Sequence, residues 1–161
     1  MKRLLRLQSA LLRKIDEYDR LVTARDKFID WERVHMASCA RIGYLLAETR
    51  GIDPDLASFA CTVHDYGRII TGKQEGHAEA GYLPVKAFLR ETGLFSEIEI
   101  EEIAMAVKNH SKKGEIGTPL DEIVKDADVL DFYQYGFGFG REEQKVRLEA
   151  LRIFKGADFG P

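Results

Sequence analysis

The chain has 161 residues, 45% of them hydrophobic and 32% charged, which is enough to bury one sizeable core but hardly two, so we expect a single domain over residues 1–161. Its formal net charge of -3 gives no sign of the broad basic surface that a nucleic-acid polymer or an anionic membrane requires, which leaves a small molecule as the expected partner. The two cysteines have no Cys-x-x-Cys spacing and no long apolar run is present, so we expect free thiols in a cytoplasmic protein.

Helical spacing of apolar residues dominates from the N-terminus onward, and strand-like alternation is nearly absent. The first predicted helix carries one apolar stripe, formed by Leu4, Leu11, Ile15, Tyr18 and Val22. The second covers 31–49 and stops at Gly51, a residue type that favours a helix C-terminus. The third starts at Asp53 and Pro54, an N-cap followed by a first-turn proline, and runs into His64.

The middle of the chain predicts two further helices. One covers 77–91, with a bend expected at Pro84 and an end at Gly93. The next opens with a capping box, Ser96 and Glu99, and runs to about residue 110.

The last third of the chain predicts two more helices separated by a glycine-rich stretch. The sixth helix opens with Thr118, Pro119 and Asp121, and the seventh lies at 141–154. The stretch YGFGFG at 135–140 follows no predicted strand and lacks the Gly-Lys-Ser/Thr ending of a phosphate-binding loop, so it predicts a turn. The whole pattern predicts an all-α, single-domain bundle of about six to seven helices.

Each histidine of the chain falls where an apolar helical stripe would place it inside the protein: His35, His64, His77 and His110. A single histidine on such a face is more often a hydrogen-bonded core residue than a metal ligand. Four are harder to explain in that way. A divalent cation would pair buried imidazoles with ionised carboxylates, so the pattern favours a metal site.

Two sets of carboxylates accompany these histidines. His64 and Asp65 are adjacent and point about 100° apart on a regular helix, so they converge only if the helix ends there, and Gly67 favours such an end. In KDADVLDF, Asp128 and Asp131 are three residues apart and can share a face. Periodicity alone does not choose between these two aspartates.

The order of His35, then His64 and Asp65, then Asp128 resembles the H…HD…D signature of the HD-domain superfamily of metal-dependent phosphohydrolases, which are all-helical. The resemblance covers about residues 31–135. It implies that these four residues hold a first divalent ion. Asp131 then becomes a candidate to orient a ligand by a hydrogen bond, or a helix-capping or salt-bridging residue.

GHAEAG around His77 and VKNHSK around His110 resemble the extra histidines of HD subfamilies that hold two metal ions. The resemblance implies that His77 and His110 hold a second ion, with Asp65 bridging the two. Some family members instead use such histidines for substrate phosphate or proton transfer. Imidazole and carboxylate ligands without thiolate suit Mn, Fe, Co, Ni or Mg, and the metal identity stays open.

The activity implied is hydrolysis of a phosphate ester or anhydride of a small molecule, expected to be a nucleotide, by metal-activated water. Asp65 or a nearby carboxylate would accept the proton. Arg68, which stands where many family members have lysine, would help to neutralise the phosphoryl oxygens. A lysine run is usually solvated surface, but three lysines flank His110 and could attract anions: Lys108, Lys112 and Lys113.

Two other functions are compatible with the same signature. The HD fold with extra histidines also hosts di-iron oxygenases, and the ligands alone do not distinguish them from hydrolases. A non-catalytic nucleotide-binding regulatory module is the third interpretation, although all signature ligands are present. The first and last helices lie outside the signature, and a homo-oligomer that uses one of them is compatible with the sequence.

Overall fold

A computed structural model describes the backbone of residues 2–155 and the side chains of residues 2–151. Every regular element in that range is a helix, which confirms the all-α class. There are eight in the described range, one above the expected upper limit: α1 (Lys2–Leu21), α2 (Ile29–Arg50), α3 (Pro54–Val63), α4 (Tyr66–Thr71), α5 (His77–Thr92), α6 (Glu97–Asn109), α7 (Pro119–Gln134) and α8 (Glu142–Lys155). None of them is long and apolar enough to cross a membrane.

Helix α2 lies at the centre of the bundle, where it packs against both α3 and α7, and α5 packs against α4 and α6. Helix α1 covers α2 and α3 with three fully buried aliphatic side chains, Leu7, Leu11 and Ile15. Burying one such side chain stabilises the fold by about 1.5–3 kcal/mol. The hydrophobic core therefore forms around the helices that carry the signature histidines.

Most helix ends follow the local signals in the sequence. Gly51 adopts a left-handed conformation (φ 67°) after α2, and the Asp53 side chain accepts hydrogen bonds from two backbone N–H groups at the start of α3. Both capping boxes form, Ser96 with Glu99 and Thr118 with Asp121. The glycine-rich stretch at 135–140 is a connection between α7 and α8, as expected.

The role predicted for Gly67 is wrong. Helix α3 ends at Val63 without it, and Gly67 lies inside the short helix α4. A Cβ atom on Gly67 would lie 1.9 Å from the carbonyl oxygen of His77 and 2.7 Å from the amide nitrogen of Gly81. Glycine is required there because α4 packs with its backbone against α5. That contact brings the turn after α3 close to His77.

Candidate functional site

The first half of the site joins α2 to the turn after α3. His35 projects from α2, and its Nε2 lies 3.1 Å from Nε2 of His64. Two carboxylate oxygens approach the same nitrogen of His35, Oδ2 of Asp65 at 3.4 Å and Oδ1 of Asp128 at 3.2 Å. Each of the two histidines is 1% exposed. This half, which we call the His35–His64 pair, is therefore a buried cluster of imidazoles and carboxylates.

The second half joins the start of α5 to the end of α6. His77 is the first residue of α5 and His110 caps α6, and their Nε2 atoms lie 2.9 Å apart. Oδ1 of Asp65 lies 3.1 Å from Nε2 of His77 and 3.4 Å from Nε2 of His110. We call this half the His77–His110 pair.

Asp65 lies between the two pairs, with one oxygen turned to each. Its Oδ2 faces the His35–His64 pair, 3.2 Å from Nε2 of His64, and its Oδ1 faces the His77–His110 pair. His64 and Asp65 can meet because α3 ends at Val63 and α4 begins at Tyr66, so the two residues occupy a turn instead of a regular helix. The turn resolves the divergence that adjacent helical positions would impose.

The outer nitrogen of every histidine has a hydrogen-bond acceptor behind it. Nδ1 of His35 lies 2.5 Å from Oδ2 of Asp131, and the other three Nδ1 atoms face backbone carbonyl oxygens at 2.6–2.7 Å, those of Cys61, Gln74 and Val107. Because these acceptors take the Nδ1 protons, the Nε2 lone pairs point inward.

The two Nε2 atoms are 3.1 Å apart in the His35–His64 pair and 2.9 Å apart in the His77–His110 pair. Two lone pairs that face each other cannot form a hydrogen bond, so each histidine pair needs a positive centre. Nitrogen atoms about 3 Å apart have the spacing of neighbouring ligands on one ion when each bond is about 2.1 Å. The residues therefore fit divalent metal ions, with His35, His64, Asp65 and Asp128 around one position and His77, His110 and Asp65 around the other.

The carboxylates dominate the electrostatics of the first half. Burial lowers the pKa of His64, but the charge of Asp65 and hydrogen bonding to Asp128 outweigh it and raise that pKa to about 10. Burial raises the pKa of Asp65, but Arg68 and His64 hold it well below the usual range. Burial lowers the pKa of His110 to about 3. The His35–His64 pair therefore favours a positive charge more strongly than His110 does, and the His110 ring stays neutral.

Cys39 lies beside His35 and His64, close enough for the three side chains to form a possible metal-binding group. Burial and the neighbouring Cys61 raise the pKa of the Cys39 thiol well above its usual range, so it remains protonated. Both cysteines are buried and free. Because a metal ligand must be the thiolate, we assign Cys39 to the wall of the site.

Asp131 and the basic residues take positions that periodicity alone did not decide. Asp131 is fully buried behind His35, so it orients that ring.

Lys108 places its ammonium 5.2 Å from the ring centre of Tyr82, and Lys112 is half-buried after α6. Lys113, expected at the surface with them, is 3% exposed and lies 2.5 Å from Oδ2 of Asp128. The only feature of the sequence that could have indicated the burial of Lys113 is its position three residues after His110.

Sequence reasoning missed Glu32, which binds Arg68. Nε of Arg68 lies 2.6 Å from Oε1 of Glu32, and Nη2 also contacts Asp65. The guanidinium lines the site, but most of its N–H groups are engaged by protein acceptors. The one available signal for Glu32 was its position one helical turn before His35 on the same face of α2.

A cavity of about 490 Å³ opens above the two histidine pairs. Trp31 and Phe132 form one wall, and the Trp31 ring stacks on His35 with centroids 4.7 Å apart. Phe137 of the glycine-rich connection packs edge-on against Trp31. Lys27 and Arg141 lie on the lining outside the metal-binding residues. The cavity thus has a polar floor and an aromatic wall with two cationic residues.

Comparison with known proteins agrees with this geometry. The family model described as HD domain matches residues 34–133, which include all six candidate metal ligands. Ribonuclease Y from Rubrobacter xylanophilus is 31% identical over 119 residues, which cover 73% of this chain and 21% of that protein. The chain therefore spans about a fifth of this relative's length. No solved structure matches the chain significantly.

Proposed function

The chain belongs to the HD-domain family, whose members are generally metal-dependent phosphohydrolases, and from that premise we propose that it hydrolyses a phosphate ester or anhydride of a nucleotide at a two-ion centre. One observation carries the proposal. Asp65 turns one oxygen toward each of two histidine pairs whose inward lone pairs need a positive centre. This is the arrangement of a carboxylate shared by two ions.

The residues divide into a first-ion set and a second-ion set. His35, His64 and Asp128 would hold the first ion together with Asp65, and His77 and His110 would hold the second ion with the same aspartate. When bound, two divalent ions supply an activated water and neutralise charge on the phosphoryl oxygens. Because both oxygens of Asp65 are assigned to the ions, the water's proton would go to a nearby carboxylate on the cavity lining, Asp128.

The cavity supports a nucleotide as the substrate. Its volume of about 490 Å³ suits a small molecule, since such sites are typically about 300–1,000 Å³. Trp31 and Phe132 offer an aromatic wall to a planar base, while the phosphate would lie at the histidine pairs. Lys27 and Arg141 would favour an anionic ligand on the approach to the site.

A hydrolysis assay tests the reaction, with the products separated by chromatography and free phosphate measured beside them, because hydrolysis of a phosphodiester releases no free phosphate. The protein, loaded with Mn²⁺ or Fe²⁺, is given nucleoside monophosphates, nucleoside triphosphates, cyclic nucleotides and ribose 5-phosphate, each with and without oxygen. We expect oxygen-independent hydrolysis of at least one nucleotide, with none after chelation. Turnover that requires oxygen would instead favour the oxygenase alternative. Metal binding without any turnover would favour a regulatory module.

The aromatic wall is tested by Phe132→Ala. Loss of one stacking contact costs about 1–3 kcal/mol per base, so we expect KM for the nucleotide to rise about 5-fold to 150-fold. KM for ribose 5-phosphate, which has no base, should stay unchanged. Phe28→Ala is the matched control, because that ring is 87% exposed and outside the cavity lining. An equal loss for both substrates would contradict a base-binding wall.

A ribonucleotide phosphodiester is a second candidate substrate, favoured by the identity to ribonuclease Y. That protein's name gives it an RNA substrate, and the chemistry of water attack on phosphorus is shared. The net charge of -3 favours a small ligand over a polymer. A short oligoribonucleotide in the same assay decides between them. Cleavage of the oligonucleotide with no release from mononucleotides would replace the nucleotide assignment.

A further inference from the structure

Glu32 and Arg68 form a buried ion pair beside the candidate metal centre. Glu32 is 3% exposed and Arg68 is 7% exposed. Nε of Arg68 donates to Oε1 of Glu32 over 2.6 Å, and Nη2 reaches Oε2 over 3.3 Å. Because both partners are removed from water, the pair holds one geometry.

Arg68 uses its remaining donors to join both halves of the site. Its Nη2 contacts Oδ2 of Asp65, and its Nη1 donates to the side-chain oxygen of Gln74 over 2.9 Å. The backbone carbonyl of the same Gln74 lies 2.6 Å from Nδ1 of His77. One guanidinium therefore contacts the bridging carboxylate and the residue that orients a histidine of the second half.

The hydrogen bonds of Arg68 link three separate segments of the chain. Glu32 lies one turn before His35 on α2, and Arg68 lies one turn after Asp65 in α4. Gln74 belongs to the connection that leads into α5. A shift of any one segment would move its contact with Arg68, so the guanidinium fixes the segments relative to one another.

We propose that Glu32 and Arg68 are positioning residues that hold Asp65 between the two histidine pairs and make binding of the second ion depend on this arrangement. The inference rests on the proposed two-ion centre. It assigns Arg68 to the orientation of a ligand, whereas its sequence position had predicted a contact with the phosphoryl oxygens.

A purely electrostatic role for Arg68 predicts the opposite result. If the guanidinium only offset the negative charge of Asp65, its removal would leave a more negative site and both ions would bind more tightly. If it positions Asp65, its removal would weaken the second ion even though a positive charge is lost. Lysine keeps the charge but cannot form the planar, forked set of hydrogen bonds, so it separates charge from geometry.

The experiment is a calorimetric titration of the full chain with Mn²⁺, accompanied by electron paramagnetic resonance. Two ions bridged by a carboxylate are magnetically coupled, whereas a single bound ion keeps the hyperfine pattern of isolated Mn²⁺. The variants are Arg68→Lys, Arg68→Met, Glu32→Gln and Gln74→Ala. Arg147→Lys is the matched control, since this arginine also bridges two carboxylates, Glu122 and Asp126, but lies outside the cavity lining.

We expect Arg68→Lys and Arg68→Met to weaken the second ion about 10-fold to 100-fold, the usual cost of losing a group that orients a ligand, and to lose the coupled signal. The first ion should weaken as well, because Nη2 of Arg68 contacts the Asp65 oxygen that faces the His35–His64 pair. Gln74→Ala, whose side chain is exposed, should weaken the second ion alone and to a smaller extent, and it covers the case in which an Arg68 variant fails to fold. Glu32→Gln should follow Arg68→Lys.

Two results would overturn the inference. In one, Arg68→Lys and Gln74→Ala bind both ions as the wild type does. In the other, Arg68→Met binds ions more tightly, as charge compensation alone predicts. A wild-type chain that binds no Mn²⁺ at all would refute the two-ion centre itself. A wild-type chain that binds two ions, with variants that bind them equally well, would refute only the positioning role of Glu32 and Arg68.

Discussion

Helix α7 carries carboxylates into two polar clusters that differ in how their charges are balanced. Toward α8, Glu122 and Asp126 both contact Nη1 of Arg147 at 2.8 Å. Asp126 also contacts Arg50 at 2.7 Å, and Glu122 contacts Lys125 at 2.9 Å. In this α7–α8 network, which comprises these five residues, every carboxylate has a cationic partner.

The metal cluster, defined by its six proposed ligands, is balanced differently. Lys113 contacts Oδ2 of Asp128, whose Oδ1 faces the histidines, and Arg68 contacts the Asp65 oxygen that faces the His35–His64 pair. The four Nε2 atoms nevertheless face one another and the carboxylate oxygens. A buried polar group without a partner costs about 1–3 kcal/mol, so an arrangement of converging lone pairs is unfavourable unless an ion completes it. The two clusters therefore differ in their converging acceptors, which the α7–α8 network lacks among its five residues.

The largest effect should come from Asp65→Ala, because Asp65 is the one carboxylate shared by both histidine pairs. We expect loss of both ions and a fall in phosphate release of more than about 100-fold, the upper range for losing a residue that merely supports a ligand. Metal content is measured by elemental mass spectrometry on protein purified without chelator. Circular dichroism should show an intact helical signal.

Asp126→Ala is the matched variant in the α7–α8 network. It removes a buried carboxylate of α7 and leaves Arg50 and Arg147 without that partner. We expect a loss of about 1–3 kcal/mol in the free energy of unfolding, with the metal content unchanged. Two bound ions in the Asp65 variant, or lost ions in the Asp126 variant, would erase the distinction between the clusters.

The second effect is stabilisation by the metal itself. Mn²⁺ at about 100 times its dissociation constant should raise the free energy of unfolding by about 2.7 kcal/mol for each site it fills, because only the folded chain brings the ligands together. Urea unfolding with and without Mn²⁺ measures this, and a chelator should reverse it. The same addition to Asp65→Ala should have no effect. Equal stabilisation of the two proteins would mean that Mn²⁺ binds elsewhere.

Local chemistry in the sequence predicted helix starts and ends well, since a cap needs only residues that are close along the chain. The Ser96–Glu99 box is an example. Helix α4 was missed because six residues are too few to show a period and because Gly67 suggested an end. Its glycine is explained only by the backbone of α5, which no local pattern reveals.

The candidate site divides in the same way. The six proposed ligands were singled out by type and order, and the structure brings them together. Glu32 was assigned no role and Lys113 was expected at the surface, because their burial depends on partners 36 and 15 residues away. A charged residue viewed alone is expected at the surface. The orientation of each imidazole also depends on acceptors that the sequence does not place.

Asp131→Asn should weaken the first ion by about 10-fold to 100-fold, the usual cost of altering the acceptor behind a ligating histidine. Oδ2 of Asp131 lies 2.5 Å from Nδ1 of His35, so loss of its charge makes the imidazole a poorer ligand. Mn²⁺ titration measures the change. Gln134→Ala is the control, because its side chain contacts the other oxygen of Asp131 and touches no histidine. The prediction fails if both variants bind the first ion equally well.

The smallest effect concerns Glu122, which tests whether the α7–α8 network is purely structural. Burial raises the pKa of Glu122, but hydrogen bonds from Arg147, Lys125 and the amide of Gly117 outweigh it and lower the pKa from 4.5 to about 2. A carboxylate with a lowered pKa stabilises the fold above its ordinary pKa, and that contribution is lost as the pH falls toward the lowered value.

Glu122→Gln should therefore cost about 1 kcal/mol at pH 7, a value reduced for partial solvent exposure, and its deficit should shrink as the pH falls from 4.5 toward 2. Urea unfolding of both proteins in chelator, over this pH range, measures the deficit. Metal content at pH 7 should match the wild type. A deficit that stays constant with pH would assign the loss to packing, whereas a loss of metal would show that the two clusters of α7 are coupled.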